Sequence, residues 1–256
     1  MGGVVMDIQL GLEILLLLFG VAMLAGFVDA MAGGGGLLTI PALLLSGVPP
    51  IATLATNKLQ ASAGSFSASL TMIKKGVVHP AQIKIALLMA FVGSAIATVL
   101  VQLSPPEMLK VIIPFLVAGV GLYTLFAPSL GEIESTPKIS QSTWQKTIVP
   151  LIGFYDGYLG PGTGTFFALS NVALRGMDLI RATGTAKLLN FATNIASLIF
   201  FILGGQVLWK VGFVMMVGQI IGAFCGSQMV VKGGAKFIRP VIVLMCFAMV
   251  VRYVFW

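Results

Sequence analysis

Charge is what this chain of 256 residues has least of. Asp, Glu, Lys and Arg together make up 9%, against about a quarter in an ordinary water-soluble domain. Histidine occurs once, as His79, and cysteine twice, as Cys225 and Cys246, with no paired spacing. That excludes a His/Cys metal cluster and a disulfide framework, so no metal and no cofactor is expected. With no paired acidic motif and no Ser–His candidate inside an apolar run, an intramembrane enzyme also lacks its parts. Acids are scarcer than bases, 8 against 15, which leaves a net charge of +7. The excess could suggest a nucleic-acid partner, but its distribution along the loops gives a better account.

What the chain has instead is apolar sequence, 58% of its residues, in runs that recur from end to end. It reads as one integral membrane domain, 1–256, in two halves, 1–127 and 144–256, with a polar cytoplasmic linker at 128–143. The first run has no Lys or Arg before it and reads as a retained helix rather than a secretory signal. Hydropathy divides each half into five segments, at 8–31, 37–46, 51–73, 80–103 and 107–126, then 145–159, 164–174, 178–203, 207–231 and 236–256. The second segment of each half is too short to cross a bilayer, which takes about 20 helical residues. The expected fold is therefore an all-α polytopic membrane protein of two five-segment repeats, each with a short broken half-helix, and 8–10 transmembrane segments. Trp144, Trp209, Tyr253 and Trp256 fall near segment ends, where amphipathic aromatics anchor at headgroup level.

The halves are copies. Ala55-Thr56-Asn57-Lys58-Leu59 matches Gly184-Thr185-Ala186-Lys187-Leu188 at an offset of 129 residues, as Gly47 matches Gly176, Gly76 matches Gly205 and Gly93 matches Gly222. Nearer the N-terminus the offset is 127 and pairs Gly26-Phe27-x-Asp29 with Gly153-Phe154-x-Asp156. A two-residue indel between Pro41 and Gly47 absorbs the difference. Each acid precedes a glycine-rich break, Gly33-Gly34-Gly35-Gly36 in the first half and Gly160-Pro-Gly162-Thr163-Gly164-Thr165 in the second. A duplicated membrane protein with broken helices and paired intramembrane charges is the pattern of a transporter, with its site where the repeats meet.

The breaks start new helices whose first N–H groups lack intrahelical acceptors and carry the positive end of the dipole. Two such ends near the midplane make a donor-rich cavity suited to an anion; the simpler alternative is that the glycines only permit close helix packing. Lys58 lies about seven residues into its segment, roughly 10 Å deep at 1.5 Å per residue, where an unpartnered ammonium is costly. Lys187, Asn190 and Asn194 share a helix face, as do Lys58, Ala61 and Ser65 beside Thr56 and Asn57. The lysines are thus expected to meet the substrate, or to be locked to Asp29 or Asp156. The acids in turn are candidate proton carriers, or caps that accept backbone N–H bonds from the breaks.

If the short segments turn the chain back, ten basic residues share one side: Lys74, Lys75, Lys84, Lys138, Lys146, Arg175, Arg181, Lys232, Lys236 and Arg239. Only Lys110, Lys210 and Arg252 fall on the other. The ten are then cytoplasmic and the repeats inverted. Parallel halves would move half of that charge outside, which the charge rule disfavours.

These motifs resemble the sulfite exporter TauE/SafE family, also called the TSUP transporters. The resemblance rests on Gly26-Phe-x-Asp29-x-x-Ala-Gly-Gly-Gly-Gly36 with Pro41, on Ala55-Thr-Asn-Lys-Leu-Gln60, and on the second copy, Gly153-Phe-Tyr-Asp156-Gly-x-x-Gly160-Pro with Ala186-Lys-Leu-Leu-Asn190. It covers essentially the whole chain. It implies a permease of the bacterial inner membrane that moves small anions such as sulfite, sulfonates or sulfoacetate, by proton-linked transport. An anion channel built from the same parts is the alternative. Expected partners are the anion and membrane lipids, with a homodimer left open.

Overall fold

A computed structural model describes residues 10–105, 107–108 and 135–233. The fifth segment predicted for each half lies almost wholly outside them, as do residues 128–134 of the linker, Lys110, Lys236, Arg239, Arg252, Cys246, Tyr253 and Trp256. Among the described residues every regular element is a helix. They are α1 (Leu12–Ala32), α2 (Gly36–Leu45), α3 (Pro50–Lys74), α4 (Lys84–Gln102), α5 (Val149–Tyr158), α6 (Thr163–Arg175), α7 (Leu179–Leu203) and α8 (Trp209–Gly233). Helical geometry already begins at Gln141 ahead of α5, where the Ser140 side chain accepts the Thr143 N–H, and passes through a π-helical turn at Trp144–Ile148.

Among the described residues, four helical stretches are long and apolar enough to cross a membrane: Leu12–Ala32, Pro80–Gln102, Leu179–Leu203 and Trp209–Lys232. Their outward faces carry Leu16, Leu17, Leu88, Ile96, Phe213 and Phe224, whereas Thr56, Asn57, Lys58 and Gln60 of α3 are buried. Apolar side chains outside and polar ones inside suit a lipid surround, because a water-facing apolar surface of this extent would drive association. α3 has 25 residues, about 37 Å of helix. Its low apolar content reflects the polar side chains it carries inward. α2, with 10 residues, reaches only about 15 Å. Trp144 is no interfacial anchor: it is buried and donates through Nε1 to Ser170 Oγ at 3.3 Å. The helical turn over 144–148 folds it under α6, so it packs against protein.

Contact order gives the helix directions. Along α1 and α8, Phe19 meets Gly218, Met23 meets Gly222 and Phe27 meets Gly226, so the two run the same way. Glycine at every fourth position of α8 lets the backbones approach until a Cβ at Gly222 would overlap Met23. α3 joins that direction, with Thr56 at Leu208, Leu59 at Gly212 and Gly64 at Gln219. α4 runs alongside α5, with Ala90 at Gly153 and Ser94 at Gly157. It also runs alongside α7, with Ser94 at Thr193 and Gln102 at Phe200. Between the two groups the order reverses: Met72 lies at Gly184, Phe66 at Phe191 and Lys58 at Asn194. α1, α3 and α8 therefore point one way, and α4, α5 and α7 the other. α1 and α3 being parallel, α2 turns the chain back between them. Lys74, Lys75, Lys84, Lys138, Lys146, Arg175, Arg181 and Lys232 all fall at one end of this bundle, and Lys210 at the other.

Candidate functional site

The two breaks meet in the middle of the bundle. α1 ends at Gly33, whose φ of 84° is left-handed and whose N–H returns to Asp29 O at 2.8 Å. A side chain here would overlap Gly164 and Thr165 at the start of α6, so glycine is needed for both conformation and approach. Across this contact Thr165 Oγ1 donates to Ala32 O at 2.6 Å. Gly36, at the start of α2, lies beside Pro161 and Asn57.

Each acid pairs with the lysine of the other half. Lys58 Nζ lies 2.8 Å from Asp156 Oδ1 and donates to Asn194 Oδ1 at 3.2 Å. Lys187 Nζ lies 3.2 Å from Asp29 Oδ2 and also donates to Asp29 O. The lysines are each the ninth residue of a 25-residue helix, α3 and α7. Lys58, Lys187 and Asp156 retain 2% of their side-chain surface or less, and Asp29 retains 12%. Asp29 Oδ1 accepts the N–H of Gly35 at 3.1 Å and so caps its break. Asp156 instead accepts the Thr163 hydroxyl at 2.8 Å and the Asn190 amide at 3.3 Å. Two negative and two positive groups cancel here, so the site is neutral as it stands.

Between the pairs is a cavity of about 20 Å³, room for about one water molecule. Asp29, Asp156, Gly33, Gly36, Gly160, Gly162, Thr163 and Gly164 line it, with Asn57, Asn190 and Asn194. Gly34, Gly35, Lys58 and Lys187 are not part of this lining, although the lysine Nζ atoms lie beside Gly160 and Gly164, and Thr56 and Thr165 are drawn into helix contacts with Leu208 and Ala32. The Asn57 carbonyl is committed to Thr39 and Gln60, which leaves its Nδ2 beside Gly36 and without an acceptor among the described residues. Two further residues line the cavity, Ala61 and Gln219. Gln219 escapes motif reading because its counterpart in the first half is Ala90; an amide in the middle of an apolar run was the available signal.

The sequence profile described as Sulfite exporter TauE/SafE matches residues 18–253. The chain belongs to the TauE/SafE family. It is 46% identical to a "Probable membrane transporter protein" of Haemophilus influenzae, over 96% of this chain and 97% of that one. It is 49% identical to "Probable membrane transporter protein YfcA" of Escherichia coli, over 89% of this chain and 84% of that one. To "Probable membrane transporter protein ORF9" of Sinorhizobium it is 42% identical, over 95% and 94%. No solved structure matches the chain. TauE/SafE proteins are membrane transporters rather than enzymes, so the site just described belongs to a transporter.

Proposed function

We propose that this TauE/SafE protein carries a small anion of the sulfite or sulfonate type together with a proton, by alternating access between two inverted repeats. The observation that carries the reading is the crossing of the charge pairs: each half holds the other's lysine. Proton and anion are linked by that arrangement. A proton placed on Asp156 removes the partner of Lys58 and leaves a buried ammonium, which costs about 3–5 kcal/mol if nothing replaces the carboxylate. An anion beside Lys58 replaces it. An anion without the proton would face two carboxylates in the same small cavity. Either ligand alone leaves net charge in a low-dielectric site; together they restore neutrality, so they are favoured as a pair. Lys187 and Asp29 repeat the device. The N-termini of α2 and α6 add oriented N–H groups at the cavity.

Inversion is supported by direction, since α1 and α5, α3 and α7, and α4 and α8 are matched by the repeat and point opposite ways. A cavity that holds about one water is closed to substrate. Binding then requires the breaks to separate, and separation towards one face or the other exposes the pairs alternately. Uptake into proteoliposomes of sulfite, thiosulfate, sulfoacetate, taurine and small carboxylates, with and without a pH gradient, tests the assignment. Saturable flux of a sulfur oxyanion that rises with the gradient is expected. Flux linear in concentration and indifferent to pH would make the protein a channel.

The basic end of the bundle faces the cytoplasm of a bacterial inner membrane. Single cysteines at positions 76 and 234, introduced in a cysteine-free background, should both resist an impermeant reagent in intact cells and label after lysis. External labelling of only one would rule out the inverted arrangement.

A further inference from the structure

Two polar side chains of the cavity, Asn57 and Gln219, have no part in the charge pairs, and Gln219 is the one with no hydrogen bond at all among the described residues. Gln219 is the eleventh residue of α8 and 1% exposed, while Val217, Ile220 and Ile221 around it face outward. Among the described residues its Oε1 is enclosed with no donor and its Nε2 has no acceptor, and the side chain lines the cavity. A buried carboxamide bonded at neither end is destabilising, so its presence in an apolar helix calls for a partner from outside the chain.

The packing makes room for it. A Cβ at Gly64 of α3 would lie 2.5 Å from Gln219 Cγ and 2.9 Å from Nε2, so only glycine lets the amide pass α3 into the cavity. The duplication shows that the fold does not demand this. At the matching positions of the other half, the glutamine is replaced by Ala90 and the glycine by Thr193. Large and small are exchanged, and the amide exists on one side of the cavity only.

We propose that Gln219 is a substrate-binding residue that, with Asn57 and Asn194, supplies a set of uncharged amide donors selecting small anions with several oxygens on one centre. Asn194 is oriented for this role because its carbonyl is taken by Lys58, leaving its Nδ2 to the cavity it lines. Several amide donors need several acceptors, and a site built of buried donors rejects a ligand that leaves them unpaired. The inference rests on the anion-transport reading above: the lysines answer to charge, and the amides to the arrangement of oxygens.

Binding of sulfite, thiosulfate, sulfoacetate and chloride to purified protein tests it, in the wild type and in Gln219→Ala, Gln219→Glu and Gly64→Ala. Gln219→Glu keeps the size but turns the donor into a carboxylate oxygen. Gly64→Ala leaves the glutamine intact and displaces it. Affinity for the best-bound sulfur oxyanion should fall about tenfold in Gln219→Ala and further in Gln219→Glu, with preference over chloride reduced in all three. Thermal stability of Gln219→Ala should not fall, since a buried unpaired amide is removed. Should Gln219→Glu fail to fold, the other two variants decide the matter. Wild-type affinity and selectivity in Gln219→Ala and Gly64→Ala overturn the inference and leave the anion site standing. A wild-type protein that binds none of these anions overturns both.

Discussion

Asp156→Asn is expected to abolish transport driven by a pH gradient while leaving anion exchange, and to make the protein's stability depend on its anion. The substitution preserves shape and an acceptor oxygen for Lys58 and Thr163, which lie 2.8 Å from Asp156 Oδ1. It removes only the charge and the proton site. Lys58 is then an ammonium buried to 2% with no counter-ion, a loss of about 3–5 kcal/mol. Total stabilities of about 5–15 kcal/mol make that a large fraction. Saturating anion should restore most of it, by a rise in melting temperature much larger than in the wild type. Lys58→Met combined with Asp156→Leu should recover stability without recovering coupling, because it removes both charges at once. Asp29→Asn should act in the same direction but more weakly, since Asp29 keeps 12% of its side-chain surface and its ion pair is longer, at 3.2 Å. Unchanged pH-driven flux in both single Asp→Asn variants would make the acids structural.

The second large effect belongs to the lysines. Lys58→Gln and Lys187→Gln keep length and donors and remove one charge each. Losing a charge-assisted contact to the anion should cost about 1.5–3 kcal/mol, roughly a 10- to 150-fold weaker affinity. The partner carboxylate, left without its cation beside the cavity, opposes the anion further. Equilibrium binding of sulfite to the folded variants measures this, with melting curves to confirm folding. A stably folded double Lys→Gln variant with near wild-type affinity would sink the role of the lysines and leave the amides and helix N-termini as the whole site.

Much of this architecture was legible in the chain. The predicted segments 51–73 and 178–203 fall within a residue of α3 and α7, because Pro49-Pro50 and Asp178 are explicit start signals. Asp178 accepts the N–H groups of Ile180 and Arg181. The breaks were legible from their glycines. Which lysine meets which acid was not, since nothing local to Lys58 distinguishes Asp29 from Asp156. The choice is made by α3 and α7 meeting head to tail. Trp144 was misplaced because hydropathy began the segment at 145, whereas the Ser140 cap extends helical geometry back to Gln141. Gln219 was invisible to a reading built on repeats because it is where the repeat fails.

The most direct test of the linkage between anion and proton is lumenal pH in proteoliposomes during uptake of a singly charged anion that does not titrate near neutrality, such as methanesulfonate. An inward anion gradient should acidify the lumen of vesicles holding wild-type protein, one proton entering with each anion through a given pair. The same gradient should move no protons in vesicles holding Asp156→Asn, although exchange continues. Anion uptake by the wild-type protein with no change in lumenal pH would contradict the account.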